Sequence, residues 1–347
     1  MRVGVCGVAL LVVVLGSGCG VSGPAAGTPR SGGPGFPVEV ADCDGNETTI
    51  EAAPEKIVTS NASGLEMLLW LGAGKRVLGT GFPPGKGTLP RELAAAGERI
   101  PVLGDTVIPK EKLLGSGADL YLDTFADMGS MGGMGTAPTE EEFAAVGMKH
   151  IFVTSTACAA MAKRPMADLS AVEEDVERLG AVTGTADRAA ELVGRMRTTV
   201  REVTDAVRDA PRPSYFFFDY DAGTDQPMAV CGKQVANAVI TLAGARNVYA
   251  DCDADFKPVG WEDVVSKNPD WIQLGVRNRG SAEENEAAFD KAEQFLKSFP
   301  ATAGLKAVKE NKFVRVGSEQ TTISGVRNAD TVRAIAATVH PDLVKSQ

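Results

Sequence analysis

Residues 187–208, DRAAELVGRMRTTVREVTDAVR, place apolar side chains at Ala189, Leu192, Val193, Met196, Val200, Val203 and Val207. Gaps of three and four put these on one stripe of an α-helix and leave the charges on the other faces. Thr185 or Asp187 is placed to cap the start, and Pro211 and Pro213 forbid continuation beyond Ala210. At 1.5 Å per residue the predicted helix is about 33 Å long, roughly the width of a small domain. The same pattern suits an ordinary long surface helix. What favours a rigid beam carrying two lobes is that the sequences on either side of it are alike.

Element by element, the two flanking stretches are alike. Residues 37–50 alternate around Asp44-Gly45, a hairpin signal. Before the beam, short buried strands are predicted at 57–59, 77–80, 120–122 and 151–153, alternating with helices at 63–71, 111–114 and 140–145. After it, strands at 215–218, 248–249, 271–274 and 313–316 alternate with helices at 233–242, 262–266, 282–295 and 328–339. Alternation of this kind implies parallel βαβ units, so the expected fold is α/β, two Rossmann-like lobes with mainly parallel sheets. Two motif pairs recur in order. Leu71-Gly72-Ala73-Gly74-Lys75-Arg76-Val77 is echoed by Leu242-Ala243-Gly244-Ala245-Arg246-Asn247-Val248. Glu111 followed by Asp119, opening the strand Leu120-Tyr121-Leu122, is echoed by Glu262 followed by Asp270, opening Trp271-Ile272-Gln273. Both pairs keep a spacing of eight, with the glutamate opening a helix and the aspartate capping the turn into a buried strand. Two matches in the same order indicate a duplicated lobe.

The ends of the chain differ in character. Residues 1–18 carry one early positive charge, Arg2, and the apolar run 8–15, too short to span a bilayer. This is the pattern of a signal peptide. Leu15-Gly16-Ser17-Gly18-Cys19 then resembles a bacterial lipobox, with leucine four residues before the cysteine where the usual spacing is three. Cys19 is the expected lipidation site, and residues 19–36, rich in Gly, Pro and Ser, suit a flexible tether. The expected plan is an N-terminal lobe over 37–166, a linking region over 167–210 containing the helix, and a C-terminal lobe over 211–347. Export permits disulfides. Cys43, Cys158, Cys231 and Cys252 allow three pairings, and their positions in the two lobes favour Cys43–Cys158 and Cys231–Cys252. No close Cys-x-x-Cys spacing supports a four-cysteine metal site instead.

Composition narrows the chemistry. A formal charge of −10 argues against a nucleic-acid partner. The only histidines are His150, before a predicted strand, and His340, in a terminal His-Pro-Asp turn. Both suit structural roles, and neither is placed as a catalytic base. The chain also lacks a Gly-x-Ser-x-Gly elbow, which leaves an exported hydrolase without its nucleophile. A surface adhesin, the other alternative, would need no pocket.

The chain resembles the siderophore- and cobalamin-binding class of ABC-transporter substrate-binding proteins. The marks are Pro54-Glu55-Lys56-Ile57-Val58, Glu66-Met67-Leu68-Leu69-x-Leu71-Gly72, Val77-x-Gly79, Pro101-x-Leu103-Gly104 and Glu111…Asp119. Gly180-x-x-Thr183-Gly184, Trp261-Glu262, Asn268-Pro269-Asp270, Gly325-Val326-Arg327-Asn328 and His340-Pro341-Asp342 complete a set whose joint order is specific. The resemblance implies two α/β lobes bridged by one long helix, a cleft between them that closes only slightly, and no catalysis. It implies that Glu111 and Glu262, one per lobe, dock onto arginines of a membrane permease served by its ATPase. The implied protein is a monomer, extracytoplasmic and held to the outer face of the cell membrane by its lipid.

Ligands of open α/β sheets meet the loops beyond the carboxyl ends of the strands. Those loops offer Asn61, Phe82, Phe125, Met128, Met131, Met134 and Arg164 from the first lobe. The second offers Asp219, Tyr220, Asp221, Arg277, Arg279, Glu319, Gln320 and Arg327. Arginines facing aromatic rings suit an iron(III)–siderophore complex, because the guanidinium fork bonds oxygen pairs and stacks on rings. Arg277 or Arg279 is the first choice for this contact, while Arg327 serves equally well in a structural ion pair. The Met-rich loop could wrap a macrocycle, which keeps cobalamin and haem as alternatives. One tyrosine among these loop residues, Tyr220, and two histidines in the chain are too few for naked iron, so the metal is expected to arrive chelated, with no metal site or resident cofactor in the protein.

Overall fold

In a computed structural model, residues 1, 33–125 and 137–345 are described. The signal segment, Cys19, most of the tether and the methionine loop therefore lie outside the described residues. Among the described residues no helix is long and apolar enough to cross a membrane.

The described part of the chain begins with a hairpin of β1 (Val38–Ala41) and β2 (Glu47–Ile50), turning at Gly45 with φ of 87°. The first sheet follows: β3 (Ile57–Thr59), α1 (Ala62–Trp70), β4 (Val77–Thr80), α2 (Arg91–Gly97), α3 (Lys110–Leu114), β5 (Leu120–Asp123), α4 (Glu140–Ala145) and β6 (Lys149–Phe152). Two short turns, the first being α5 (Thr154–Ala157), lead into α6 (Ser170–Val182) and α7 (Ala186–Ala206). The second half contains β7 (Ser214–Asp219), β8 (Met228–Val230), α8 (Val235–Leu242), β9 (Arg246–Asn247), β10 (Phe256–Pro258) and α9 (Trp261–Lys267). It ends with β11 (Trp271–Gly275), α10 (Ala282–Ser298), α11 (Lys306–Lys309), β12 (Phe313–Val314), α12 (Ser318–Thr322) and α13 (Asn328–Val339).

Each half builds a four-stranded parallel sheet. The order is β4-β3-β5-β6 in one and β9-β7-β11-β12 in the other, so the strands correspond one for one. The duplicated motifs occupy equivalent places. Gly72 and Gly244 each follow the last residues of a helix with positive φ, 76° and 81°, a conformation open to glycine without a Cβ penalty. Asp119 and Asp270 hold corresponding positions, but they do not cap their own turns as the sequence suggested. Each reaches sideways to the first strand of its sheet. Asp119 accepts from the backbone N–H groups of Glu55 and Lys56, just before β3, both at 2.9 Å. Asp270 accepts from Ser214 N at 2.8 Å and Ser214 Oγ at 2.7 Å, at the start of β7. A carboxylate that satisfies backbone donors where two strands begin fixes their register.

The long helix runs from Ala186 to Ala206, two residues short of the expected end, with Val207 as its C-cap. Thr185 takes the N-cap position, yet its hydroxyl bonds Thr183 Oγ1 at 2.8 Å and caps nothing. The predicted stripe is buried at Ala189, Leu192, Val193, Met196 and Val203. It packs on α6 on one side and α13 on the other, with Arg197 paired to Glu173 and Glu177 of α6 and Arg333 of α13 to Glu202. One continuous apolar cluster runs through it, from Ile57, Leu65 and Leu122 to Tyr215, Val239 and Ile335. The helix therefore shares a core with both sheets, and its position is fixed by burial more than by its surface ion pairs. The disulfides join Cys43 to Cys158 and Cys231 to Cys252.

Candidate functional site

Among the described residues, three sets of hydrogen bonds join the two halves, and each lies just past the carboxyl ends of strands. The first starts at α1, which follows β3. Glu66 Oε1 and Oε2 accept from Arg327 Nε and Nη2 at 2.7 and 2.6 Å, Trp70 Nε1 donates to the same carboxylate at 3.1 Å, and Ser63 Oγ donates to Ser324 O at 3.1 Å. The second is the strap after β4, where Gly87 O accepts from Asn278 Nδ2 at 2.7 Å. A Cβ on Gly87 would lie 2.7 Å from Gly280 Cα. The third is the segment after β6. Met166 N donates to Gly232 O at 2.8 Å, Asn237 Nδ2 to Met166 O at 2.9 Å, and Lys233 Nζ to Ala160 O at 3.1 Å. The carboxyl edges of the two sheets consequently face each other, and the space between these seams is the candidate site.

From the first half, Phe82 and Phe125 meet at this edge with ring centroids 5.8 Å apart. Phe82 has φ of 31°, an outlying value for a bulky residue. Its N–H donates to Thr106 O at 2.9 Å and its carbonyl accepts from Ala62 N at 3.0 Å, which hold the strained backbone in place. Asn61 is close by but occupied. Its Oδ1 accepts from Ser63 N and Gly64 N as the cap of α1, and its Nδ2 donates to Thr124 Oγ1. Phe125 follows a turn shaped by Asp123, whose Oδ1 accepts from Thr124 N at 2.7 Å and Phe125 N at 3.0 Å. Behind Asp123 stands His150, within β6 and not ahead of it as expected. It is ringed by Tyr121, Phe143 and Phe152. Its Nδ1 lies 2.7 Å from Glu140 Oε1 and its Nε2 3.6 Å from Asp123 Oδ2. Burial works against the imidazolium, but the two carboxylates more than offset it and raise its pKa from 6.5 to about 9. Arg164 is exposed in the third seam segment.

The second half contributes the turn after β7 and the loop after β11. Tyr220 is half-buried against Phe218 and Phe295, so its ring belongs to the aromatic cluster of that half. Asp221 accepts from Arg277 N at 2.7 Å and from the Arg279 guanidinium at 2.5 Å. Asp219 Oδ1 is buried and, among the described residues, has no hydrogen-bond partner. Desolvation raises its carboxyl pKa from 3.8 to about 6, against the lowering influence of Arg277 nearby. Arg277, Asn278, Glu319, Gln320 and Arg327 line a cavity of about 140 Å³. Of the two roles left open for Arg327, the geometry gives the structural ion pair.

Sequence reasoning overlooked Glu66 and Trp70 as seam residues. Their signal was a carboxylate and an indole one turn apart on an otherwise apolar helix, the spacing at which side chains meet. Glu111 and Glu262 are exposed in the first turns of α3 and α9, at corresponding places in the two halves.

The family model described as periplasmic binding protein matches residues 57–320. Over 351 residues the chain is 23% identical to an uncharacterised ABC transporter substrate-binding lipoprotein, YvrC, of Bacillus subtilis (strain 168), with 99% of each protein covered. A cobalamin-binding protein of Halobacterium salinarum (strain ATCC 29341 / DSM 671 / R1) is 27% identical over 250 residues, spanning 70% of this chain and 59% of that one. Among solved structures, an ABC-type Fe3+-hydroxamate transport system protein from Saccharomonospora viridis DSM 43017 shares the fold, with a TM-score of 0.70 at 24% identity. That match covers 88% of this chain and 99% of the other.

Proposed function

The chain belongs to the periplasmic binding protein family, and on that premise we propose that it is the extracytoplasmic solute-binding lipoprotein of an ABC importer. It captures an iron(III)–siderophore complex and delivers it to a membrane permease coupled to an ATPase. The observation that carries this reading is the pair of like-ordered sheets whose carboxyl edges face each other across three polar seams. Such a cleft suits a bulky solute held at strand ends contributed by both halves. Phe82, Phe125 and Arg277 supply rings and a guanidinium of the kind a chelate needs. Glu111 and Glu262 present carboxylates where helix dipoles favour them, spaced by the shared core, as a pair of docking points for permease arginines. Cys19 carries the lipid, which tethers the protein through residues 19–36.

A second reading, cobalamin as the cargo, has the similarity to the haloarchaeal cobalamin-binding protein in its favour. Titrating the purified protein with a panel of ferric siderophores and with cobalamin, while following tryptophan emission, tests both. Saturable quenching by a ferric siderophore is expected. Quenching by cobalamin alone moves the cargo to the second reading, and no response to any of them refutes the capture role. The double variant Glu111→Ala, Glu262→Ala should abolish uptake in cells and leave solution affinity unchanged; a loss of affinity would place these residues in the cleft instead.

A further inference from the structure

We propose that the third seam is a thiol-sensitive joint. The two disulfides clamp it from either side, and cleavage of Cys43–Cys158 by a dithiol frees residues 159–166 from the first half and slackens the contact between the halves. This holds on the fold alone, whichever solute the cleft takes. Ala160 O and both backbone groups of Met166 are the first half's share of the seam, bonded to Lys233 Nζ, Gly232 O and Asn237 Nδ2. Cys158 stands two residues before Ala160, and Cys231 one residue before Gly232. Cys252 adjoins Asp253, which pairs with Lys233 at 2.8 Å. The segments that form the other two seams contain no cysteine.

The two clamps are not equivalent. In the second half the bridge is backed by hydrogen bonds: Cys231 N, Gly232 N and Lys233 N donate to Asp255 O, Cys252 O and Ala254 O at 2.8, 3.3 and 3.0 Å. A Cβ on Gly232 would lie 2.4 Å from Ala250 O, so the two backbones are already in close contact. In the first half there is no such backing among the described residues. The hydrogen bonds of residues 159–166 are either local, such as Met161 N to Cys158 O at 3.0 Å, or cross to the second half. Those of the turn at 42–46 stay within it. Buried Asp175 fixes Thr154 and Ser155, but that anchor ends before Cys158. Met166 rests on the apolar cluster common to both halves, which sets its depth and leaves its register to directional bonds. The bond to Cys43 is therefore what ties this segment to the hairpin, which in turn packs on β6 and α6.

Exposure separates the bridges in the same direction. Cys43 and Cys158 are both half-buried, whereas Cys231 is fully buried and only Cys252 of that pair has exposed surface. A dithiol supplies two electrons. Its thiolate attacks one sulfur and expels the other cysteine as a thiolate. The reagent's second thiol then closes a cyclic disulfide and frees the first cysteine, and two protons end on the two cysteines. At Cys43–Cys158 either sulfur can leave toward water. At the other bridge, attack on Cys252 expels a thiolate at buried Cys231, which desolvation disfavours. The first bridge opens before the second.

Hydrogen exchange resolved to single amides, followed on the solute-free protein through graded reduction by dithiothreitol, tests this, with alkylation and peptide mapping to locate the freed cysteines. Cys43 and Cys158 should be alkylated at a dithiothreitol concentration about tenfold or more below that which opens Cys231–Cys252. At that stage the Met166 amide, which donates across the seam, should exchange about tenfold or more faster, while amides of β5 stay within about twofold. Reoxidation should restore its protection. The double variant Cys43→Ser, Cys158→Ser should show the same local acceleration without reagent; should it fail to fold, reduction of the native protein still decides. An unchanged Met166 amide after the first bridge opens overturns the inference. Equal acceleration in β5 does so too, because the bridge would then staple the lobe and not the seam, and so does earlier opening of Cys231–Cys252. None of these results bears on solute capture, which the titration above tests separately.

Discussion

Replacing His150 by glutamine removes a cation buried beneath the edge where Phe125 is aimed. The imidazole lies 4.4–5.4 Å, centroid to centroid, from the rings of Phe152, Phe143 and Tyr121, and only 8% of the side chain is exposed. In that setting a neutral ring would be the cheaper form. The carboxylates of Glu140 and Asp123, at 2.7 and 3.6 Å, reverse the preference and raise the pKa from 6.5 to about 9. Because the folded state holds the proton more tightly than the unfolded chain, the stabilisation is fully present below pH about 6.5. It is lost progressively as pH rises through about 9. At about 1.4 kcal/mol for each pH unit, the shift corresponds to about 3 kcal/mol. Urea unfolding of the native protein and of His150→Gln at pH 6 and at pH 10 checks the value. The stability gap between the two should be about 3 kcal/mol wider at pH 6, apart from a constant part due to ring packing. A gap of the same size at both pH values would mean that the folded protein holds a neutral imidazole, and the reasoning from the two carboxylates would fail. Because Asp123 also fixes the Thr124 and Phe125 N–H groups, ligand affinity should weaken over the same alkaline range.

Two further perturbations follow from the seams and the second half. Glu66→Ala leaves Arg327 without its partner in a part-buried place and should cost about 2–4 kcal/mol, discounted for residual exposure. Glu66→Leu combined with Arg327→Met should cost less than the two single changes added together, and a double-mutant cycle by chemical denaturation reads this directly. Asp219→Asn should stabilise the protein at pH 8 by up to about 3 kcal/mol, because a carboxyl whose folded pKa is raised loses stability as pH climbs from about 4 to about 6. The gain should vanish at pH 4 in thermal melts, and a loss at pH 8 would show that the buried oxygen has a partner.

The elements most legible in the sequence were those whose pattern is local. The stripe from Ala189 to Val203 recurs every three or four residues, and it is buried as that spacing requires. Thr139 and Glu142 bracket α4 with a capping box, and α4 spans the predicted residues. Helix α6 was equally legible, with Val172, Val176, Leu179 and Val182 all buried on one face, but the charges from Glu173 to Arg178 masked the stripe and the segment passed for linker. The pairing of β8 with β10 had no signal at all. Each strand has three residues, and Phe256, Lys257 and Pro258 are exposed. The site was harder for a physical reason. Whether an arginine is available to a ligand depends on its partner, and the partner of Arg327 lies 261 positions away in the chain. Residue type and loop position put Arg277 and Arg279 ahead of Arg327 but do not separate the first two. Only the folded chain distinguishes them, holding Arg279 and Arg327 in ion pairs and leaving the Arg277 guanidinium without one among the described residues.

That distinction ties the construction of the molecule to its selectivity. Two halves of like strand order must be held edge to edge, and the long helix supplies an apolar core that both share. A core fixes distance but resists sliding poorly, because apolar contact is non-directional. Directional bonds at the rim supply what it lacks, and here they are made by Glu66 with Arg327 and Trp70, by Asn278 with Gly87, and by Asn237 with Met166. Most of the arginine charge at the facing edges is committed to acids, at the seam itself or in the loops that form it. Among the described residues, what remains for a solute is the rings of Phe82 and Phe125 and the exposed guanidiniums of Arg277 and Arg164. The same pairs that keep the halves in register therefore also hold arginine charge away from a solute, so a substitution that loosens the seam by removing Glu66 should at the same time make the cleft more welcoming to anions. Measuring the affinity for a ferric tris-catecholate, a trianion, in Glu66→Gln, where Arg327 is released without a change in side-chain size, puts both consequences in one experiment. Affinity for the trianion should rise as stability falls, and a fall in both would separate the seam from the selectivity.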